Sequence, residues 1–256
     1  MGEWGPGPQP PTNAKGHLYR LAVSTISSAI LDPLMASDPA GPRITYYDDA
    51  TGERIELSTA TLWNWAAKTG NLLRDELGAG PSSRVAVLLP AHWQTAAVLF
   101  GIWWIGAEVV TAGEADVALC TADRLDEADD AVGVGEIAVL SLDPFGKPAP
   151  DLPVGVTDYA TAVRVHGDQI IPERHPGAAL EGRSVDDVLS DAQASAAAQG
   201  LTADDRVMST ADWTNANDLT ENLLAVFAVG ASLVHVANQD AAAMGRRRQM
   251  EKITRG

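Results

Sequence analysis

The chain has 256 residues, 46% of them hydrophobic, and 18 Lys and Arg against 34 Asp and Glu give it a formal net charge of −16. That length suffices for a buried core in one large or two small domains. So negative a surface repels phosphate, which argues against a non-specific nucleic-acid binder and equally against a basic membrane-surface protein. Cys120 is the single cysteine, so an intrachain disulfide framework and a Cys-based zinc site are both excluded. Residues 1–16 are Gly- and Pro-rich and read as a disordered leader, without the basic-then-apolar order of a signal peptide. The strongest apolar run, residues 96–107, is short of the roughly 20 residues that a membrane span needs. The expectation is a cytoplasmic protein with one domain over residues 17–256.

In chain order, Leu18, Leu21, Val23, Ile26, Ile30, Leu31 and Leu34 recur at helical spacing and predict a helix over 17–35, ended by Pro33 and Pro39. Residues 43–49 are β-branched and aromatic, 49–52 read as a turn, and 54–57 alternate, which predicts a hairpin. Ser58 is a good N-cap for a long helix over 61–77, stopped by Gly78 and Gly80. The unbroken apolar run at 84–89, between Pro81 and Pro90, predicts a strand buried on both faces of a parallel sheet. A helix over 92–105 and strands over 107–111, 117–121 and 136–140 follow. The acidic residues Asp123, Asp126, Glu127, Asp129 and Asp130 read as a solvated helix face.

Residues 143–182 hold Pro144, Pro148, Pro150, Pro153, Pro172 and Pro176 and predict a loop-rich middle. Alternation then resumes with a helix over 184–199, a strand over 206–210, a helix over 218–229, a strand over 232–236 and a last helix from about 239. Strands alternating with helices at this spacing define an α/β fold, with a mainly parallel sheet flanked by helices.

Several of these segments carry a family resemblance. Ile44, Thr45 and Tyr46, then Glu56, Leu57 and Ser58, then Asn71, Leu72 and Leu73, then residues 84–90, then Gly106 to Val110 stand in an order that resembles the N-terminal part of the adenylate-forming superfamily. That superfamily includes acyl-CoA synthetases, peptide-synthetase adenylation domains and luciferases. Residues 203–210 and 229–234 are similar to its next strand–helix–strand unit. The resemblance implies the adenylate-forming N-terminal-domain fold and, in an active member, ATP-dependent activation of a carboxylate. Such chemistry needs a Ser/Thr/Gly-rich loop, followed by Lys, whose amides and hydroxyls hold a triphosphate. It belongs between the strand at 136–140 and the helix at 184, an interval with no such run. Phe145, Gly146, Lys147 and Pro148 echo only its end, with Ser141 and Pro144 ahead of them. The acidic residues that hold ribose and the Lys residues of a small C-terminal domain would fall beyond Gly256. The resemblance is therefore to a truncated or degenerate member, with no catalytic residue to name.

Individual residues leave alternatives open. His92 sits at a strand-to-helix junction, where α/β folds place ligand contacts, or is a half-exposed helix start beside Trp93. Trp93, Trp103 and Trp104 either line an apolar acyl pocket or belong to the core. The pocket candidates are His92, Trp93, Asp212 and Trp213. His166, Asp168, Glu173 and His175 have the chemistry of metal ligands but no spacing that pre-places them, so no metal is expected. A Ser–His–Asp triad lacks its elbow, because residues 182–186 have no second Gly. Cys120 reads as a buried inert thiol. The cation-rich residues 246–256 either dock onto an acidic surface, the protein's own or a partner's, or favour the dipole of a closing helix.

Two functions follow, with a hydrolase or metal enzyme using the loop from His166 to His175 as a third class behind them. The first is a non-catalytic or vestigial adenylate-forming-like domain, retained as a small-molecule (acyl or nucleotide) binding or protein-interaction module without cofactor. The alternative is an AMP-binding, acyl-activating ligase component that takes its phosphate loop and C-terminal domain from a partner chain. No nucleic-acid or membrane partner is expected under either.

Overall fold

The computed structural model describes residues 24–256; the expected leader and residues 17–23 of the first expected helix lie outside the described residues. Helix α1 (Ile26–Ser37) opens on Thr25, whose hydroxyl accepts from the Ser28 amide. It runs through Pro33 instead of ending there. The buried face Ile26, Ile30, Leu31 and Leu34 is continuous across the proline, and burial of that face outweighs the roughly 3 kcal/mol that an internal proline costs.

The hairpin forms as expected from β1 (Pro42–Asp48) and β2 (Glu53–Ser58), turning at Gly52 with φ +78°. Ser58 caps α2 (Thr59–Asp75) by accepting from the Thr61 amide. Next come β3 (Arg84–Leu88), α3 (Trp93–Trp104), β4 (Glu108–Val110), β5 (Val117–Cys120), α4 (Leu125–Val132) and β6 (Glu136–Val139). The loop-rich middle contains the short β7 (Thr157–Asp158) and α5 (Tyr159–Ala162). The remainder is α6 (Val185–Gln199), β8 (Arg206–Ser209), α7 (Ala216–Leu219), α8 (Ala225–Ala228), β9 (Ser232–Ala237) and α9 (Ala241–Met250). A π-helical stretch, Thr220–Leu224, joins α7 to α8.

The strands divide into two sheets, where the periodicity suggested one. The first runs β2-β1-β9-β8 and the second β4-β3-β5-β6-β7, with every pairing parallel except β1 with β2. The first sheet closes by pairing β1 with β9, Tyr46 opposite His235. Hydrophobic patterning states that a strand is buried and is silent about its partner, so this long-range pairing is not local information.

A central layer of helices α1, α2, α3, α6 and α8 is shared by both sheets. Its core joins Ile44, Leu57 and Leu233 of the first sheet to Val85, Val109 and Leu119 of the second. Helix α3 is buried along its whole length, which accounts for a sequence apolar almost all round. Helix α4 covers the outer face of the second sheet through Ala128 and Val132, and Met244 of α9 packs on the outer face of the first. The order of layers is therefore α-β-α-β-α. No helix among the described residues is long and apolar enough to cross a membrane.

The basic C-terminal segment docks on the molecule itself. Arg247 is buried, pairs with Asp49 at 2.5 Å and lies 4.3 Å over the Tyr47 ring. Arg255 pairs with Asp205 at 3.4 Å, and its carbonyl accepts from the Met208 amide at 2.9 Å beside β8.

Candidate ligand-binding site

Parallel strands direct their C-terminal ends to one side, and here both sheets do so into one cleft of about 1300 Å³. Tyr46 and Asp48 come from β1, His235 from β9, and Thr210 and Asp212 follow β8. From the second sheet, residues 90–92 follow β3, and the segment after β6 supplies residues 141–145, 147 and 148. Clefts at strand C-termini where connections diverge are the usual ligand position in open α/β sheets.

His92 forms the floor. It is the N-cap of α3, and its Nδ1 accepts from the Gln94 amide at 3.1 Å. That bond fixes the neutral tautomer with the proton on Nε2. Tyr46 packs edge-on against the ring with centroids 4.3 Å apart. His92 is consequently 2% exposed, which corrects the half-exposed alternative. Its Nε2 faces Glu53 Oε1 at 3.7 Å, too far for a hydrogen bond.

Tyr46 also stacks on His235, with centroids 5.9 Å apart, and Trp213 lies 5.6 Å from His235. Four buried polar atoms in this cluster have no hydrogen-bond partner among the described residues: Glu53 Oε1, His92 Nε2, Trp213 Nε1 and His235 Nδ1. An orphan of this kind costs about 1–3 kcal/mol, and a group of them in one place calls for an explanation. Burial lowers the pKa of His92, opposed by Glu53. Burial, reinforced by His92, lowers that of His235 to about 4. Both rings are neutral at pH 7. With Nδ1 committed to the helix cap, His92 is a fixed donor and has no free lone pair for general-base work.

The segment that echoes a phosphate loop is folded on itself. Asp143 Oδ1 accepts from the amides of Phe145 at 2.8 Å and Lys147 at 3.2 Å, and the Asp143 carbonyl accepts from the Gly146 amide at 2.9 Å. The Ser141 hydroxyl donates to the Lys147 carbonyl at 2.6 Å. The donors that would face an anion are thus already engaged by Asp143. The cleft is lined by Asp48, Glu53, Asp143 and Asp212 against Arg54 and Lys147, a balance that repels a polyanion.

Of the expected pocket residues, His92 and Asp212 line this cleft, Trp93 lines a smaller one beside it, and Trp213 is buried behind His235. Trp103 and Trp104 are core, and the Trp103 indole donates to the Ala179 carbonyl at 2.8 Å. His166 pairs with Glu76 at 2.8 Å, and Glu173 accepts from the amides of Arg174 and His175. Among the described residues no three His, Cys, Asp or Glu side chains gather into a ligand set. Cys120 is buried, which pushes its thiol up to about 11.

Sequence reasoning missed Tyr46, Glu53 and His235. The available signal was His235, a polar residue in the middle of an apolar strand; Glu53 follows the hairpin turn and carries no local mark.

With this geometry established, similarity to known proteins is informative. The AMP-binding enzyme family matches residues 37–139. A TIGR03089 family protein of Mycobacterium tuberculosis is 69% identical over 237 residues, covering 91% of this chain and 98% of that protein. The structure of an acyl-CoA synthetase from Brucella canis superposes with TM-score 0.74 at 18% identity over 90% of this chain. The N-terminal domain of FACL13 from Mycobacterium tuberculosis superposes with TM-score 0.64 at 17% identity, over 90% of this chain and 61% of that one. This chain spans 46% of the Brucella synthetase, less than half its length. The adenylate-forming N-terminal fold is thereby shown.

Proposed function

This chain belongs to the TIGR03089 family, and from that premise we propose that it is a non-catalytic, vestigial adenylate-forming-like domain whose main cleft binds a small molecule without ATP. One observation carries the reading: the amides of Phe145 and Lys147 are occupied by the Asp143 carboxylate. A triphosphate placed there would meet a carboxylate where the chemistry requires donors. The unpaired groups on the floor instead suit an uncharged or weakly charged acyl-type ligand, which would accept from His92 and complete Glu53 or His235.

Thermal unfolding with and without ATP or AMP at millimolar concentration tests this, with no shift in Tm expected. Clear stabilisation by either nucleotide overturns it, because a ligand that binds only the native state raises Tm. A second reading, an acyl-activating ligase component completed by a partner chain, rests on the fold shared with the Brucella acyl-CoA synthetase. It requires carboxylate-dependent ATP–pyrophosphate exchange once that partner is added.

A further inference from the structure

Residues 144–146 separate the main cleft from a second one of about 390 Å³, whose walls come from α2, Trp93 and Arg164. Its charge is unlike that of the rest of the molecule. Lys68 and Arg164 line it and no carboxylate does, in a chain whose acids outnumber its bases by 34 to 18. Both cations are held in place by main-chain carbonyls. Lys68 Nζ donates to the His166 carbonyl at 2.5 Å, and Arg164 Nη2 donates to those of Phe145, at 3.3 Å, and Gly146. Carbonyls orient these groups without neutralising them. Neither forms an ion pair within 4.0 Å among the described residues.

The remaining walls are flat and aromatic. Trp65 and Trp93 meet edge to face with centroids 5.6 Å apart, and Phe145, at the rim, is 80% exposed. The Trp93 indole N–H is buried without a partner among the described residues. Fixed cations beside aromatic faces suit a flat ring that carries an acidic group. The net charge of −16 favours one negative charge over two.

We infer that this second cleft binds a flat aromatic monoanion, with its acidic group between Lys68 and Arg164 and its ring against Trp65 and Phe145. The inference stands apart from the reading of the main cleft, since it uses none of the floor residues there.

Calorimetric titration of the whole chain with naphthalene-2-sulfonate tests it, with naphthalene-2-methanol as the uncharged ring and sulfate as the ring-free anion. The sulfonate is expected to bind once, at least about tenfold tighter than either control. Lys68→Gln and Arg164→Gln are each expected to weaken it about threefold or more, and 0.5 M NaCl is expected to weaken binding to the unsubstituted chain similarly. His235→Phe, in the main cleft, is expected to leave it unchanged. The salt series needs no substitution and reads the charge dependence even if a variant folds poorly. The inference fails if the sulfonate does not bind, if the alcohol binds equally well, or if salt has no effect. It also fails if His235→Phe abolishes binding while Lys68→Gln and Arg164→Gln spare it.

Discussion

Tyr46 and Tyr47 are neighbours on β1 and point to opposite faces of the first sheet, and each stands in a buried polar cluster of opposite character. On the outer face, Glu251 is 7% exposed at its side chain and accepts from Tyr47, from Arg54 at 2.9 Å and from Arg206 at 2.5 Å. Despite burial, which would raise it, those three donors hold its pKa at about 2. On the cleft side, Glu53, His92, His235 and Trp213 bury four polar atoms with no partner among the described residues. A satisfied network fixes a fold and asks for nothing more, whereas an unsatisfied one calls for an explanation, here the proposed ligand. The outer cluster therefore reads as the clamp that holds the C-terminal segment on the sheet, and the inner one as the floor of the proposed site.

The largest expected contrast is in acid. Burial depresses His235 from 6.5 to about 4, so its contribution is complete above about pH 6.5 and is lost as pH falls through 4. At 2% exposure this is worth roughly 3 kcal/mol. Urea unfolding of His235→Phe between pH 7 and 4 should be flatter than that of the unsubstituted chain by about that amount. Glu251 acts in a lower window, since its contribution is present above 4.5 and fades towards pH 2. Overlapping losses in a single window would break the contrast between the two faces.

Next in size, Glu251→Gln removes the charge that three donors share. With Arg54 45% exposed at its side chain, the cost is discounted to about 2–3 kcal/mol by denaturant unfolding. Tyr47→Phe deletes one donor and should cost about 1 kcal/mol in the same assay. Smallest is Glu53→Gln, chemically the same change as at Glu251. With a neutral His92 at 3.7 Å and, among the described residues, no hydrogen bond to lose, its stability should stay within about 0.5 kcal/mol. Equal costs for the two Glu→Gln changes would erase the distinction between clamp and floor.

Much of the framework was legible locally. Ser58 as a cap, Gly52 in the hairpin turn and the apolar run ending before Pro90 each report their own backbone conformation. The poverty of the 141–148 segment in hydroxyl and glycine donors was legible too. Its consequence was not, because only the folded loop turns Asp143 back onto the amides of Phe145 and Lys147. The Pro33 expectation failed for a related reason: a local rule about proline met a buried face that extends beyond it on both sides.

The sequence by itself determined the type and order of the elements, the alternation that makes an α/β protein, and the acidic charge, since each is a property of short stretches or of composition. Tertiary structure alone decided that the strands form two sheets, that Tyr46 of β1, His235 of β9 and His92 after β3 come together, and that Lys68 and Arg164 line one second cleft. The reason is physical: hydrophobic periodicity says which side of an element is buried, whereas a binding site depends on which distant elements that burial brings together.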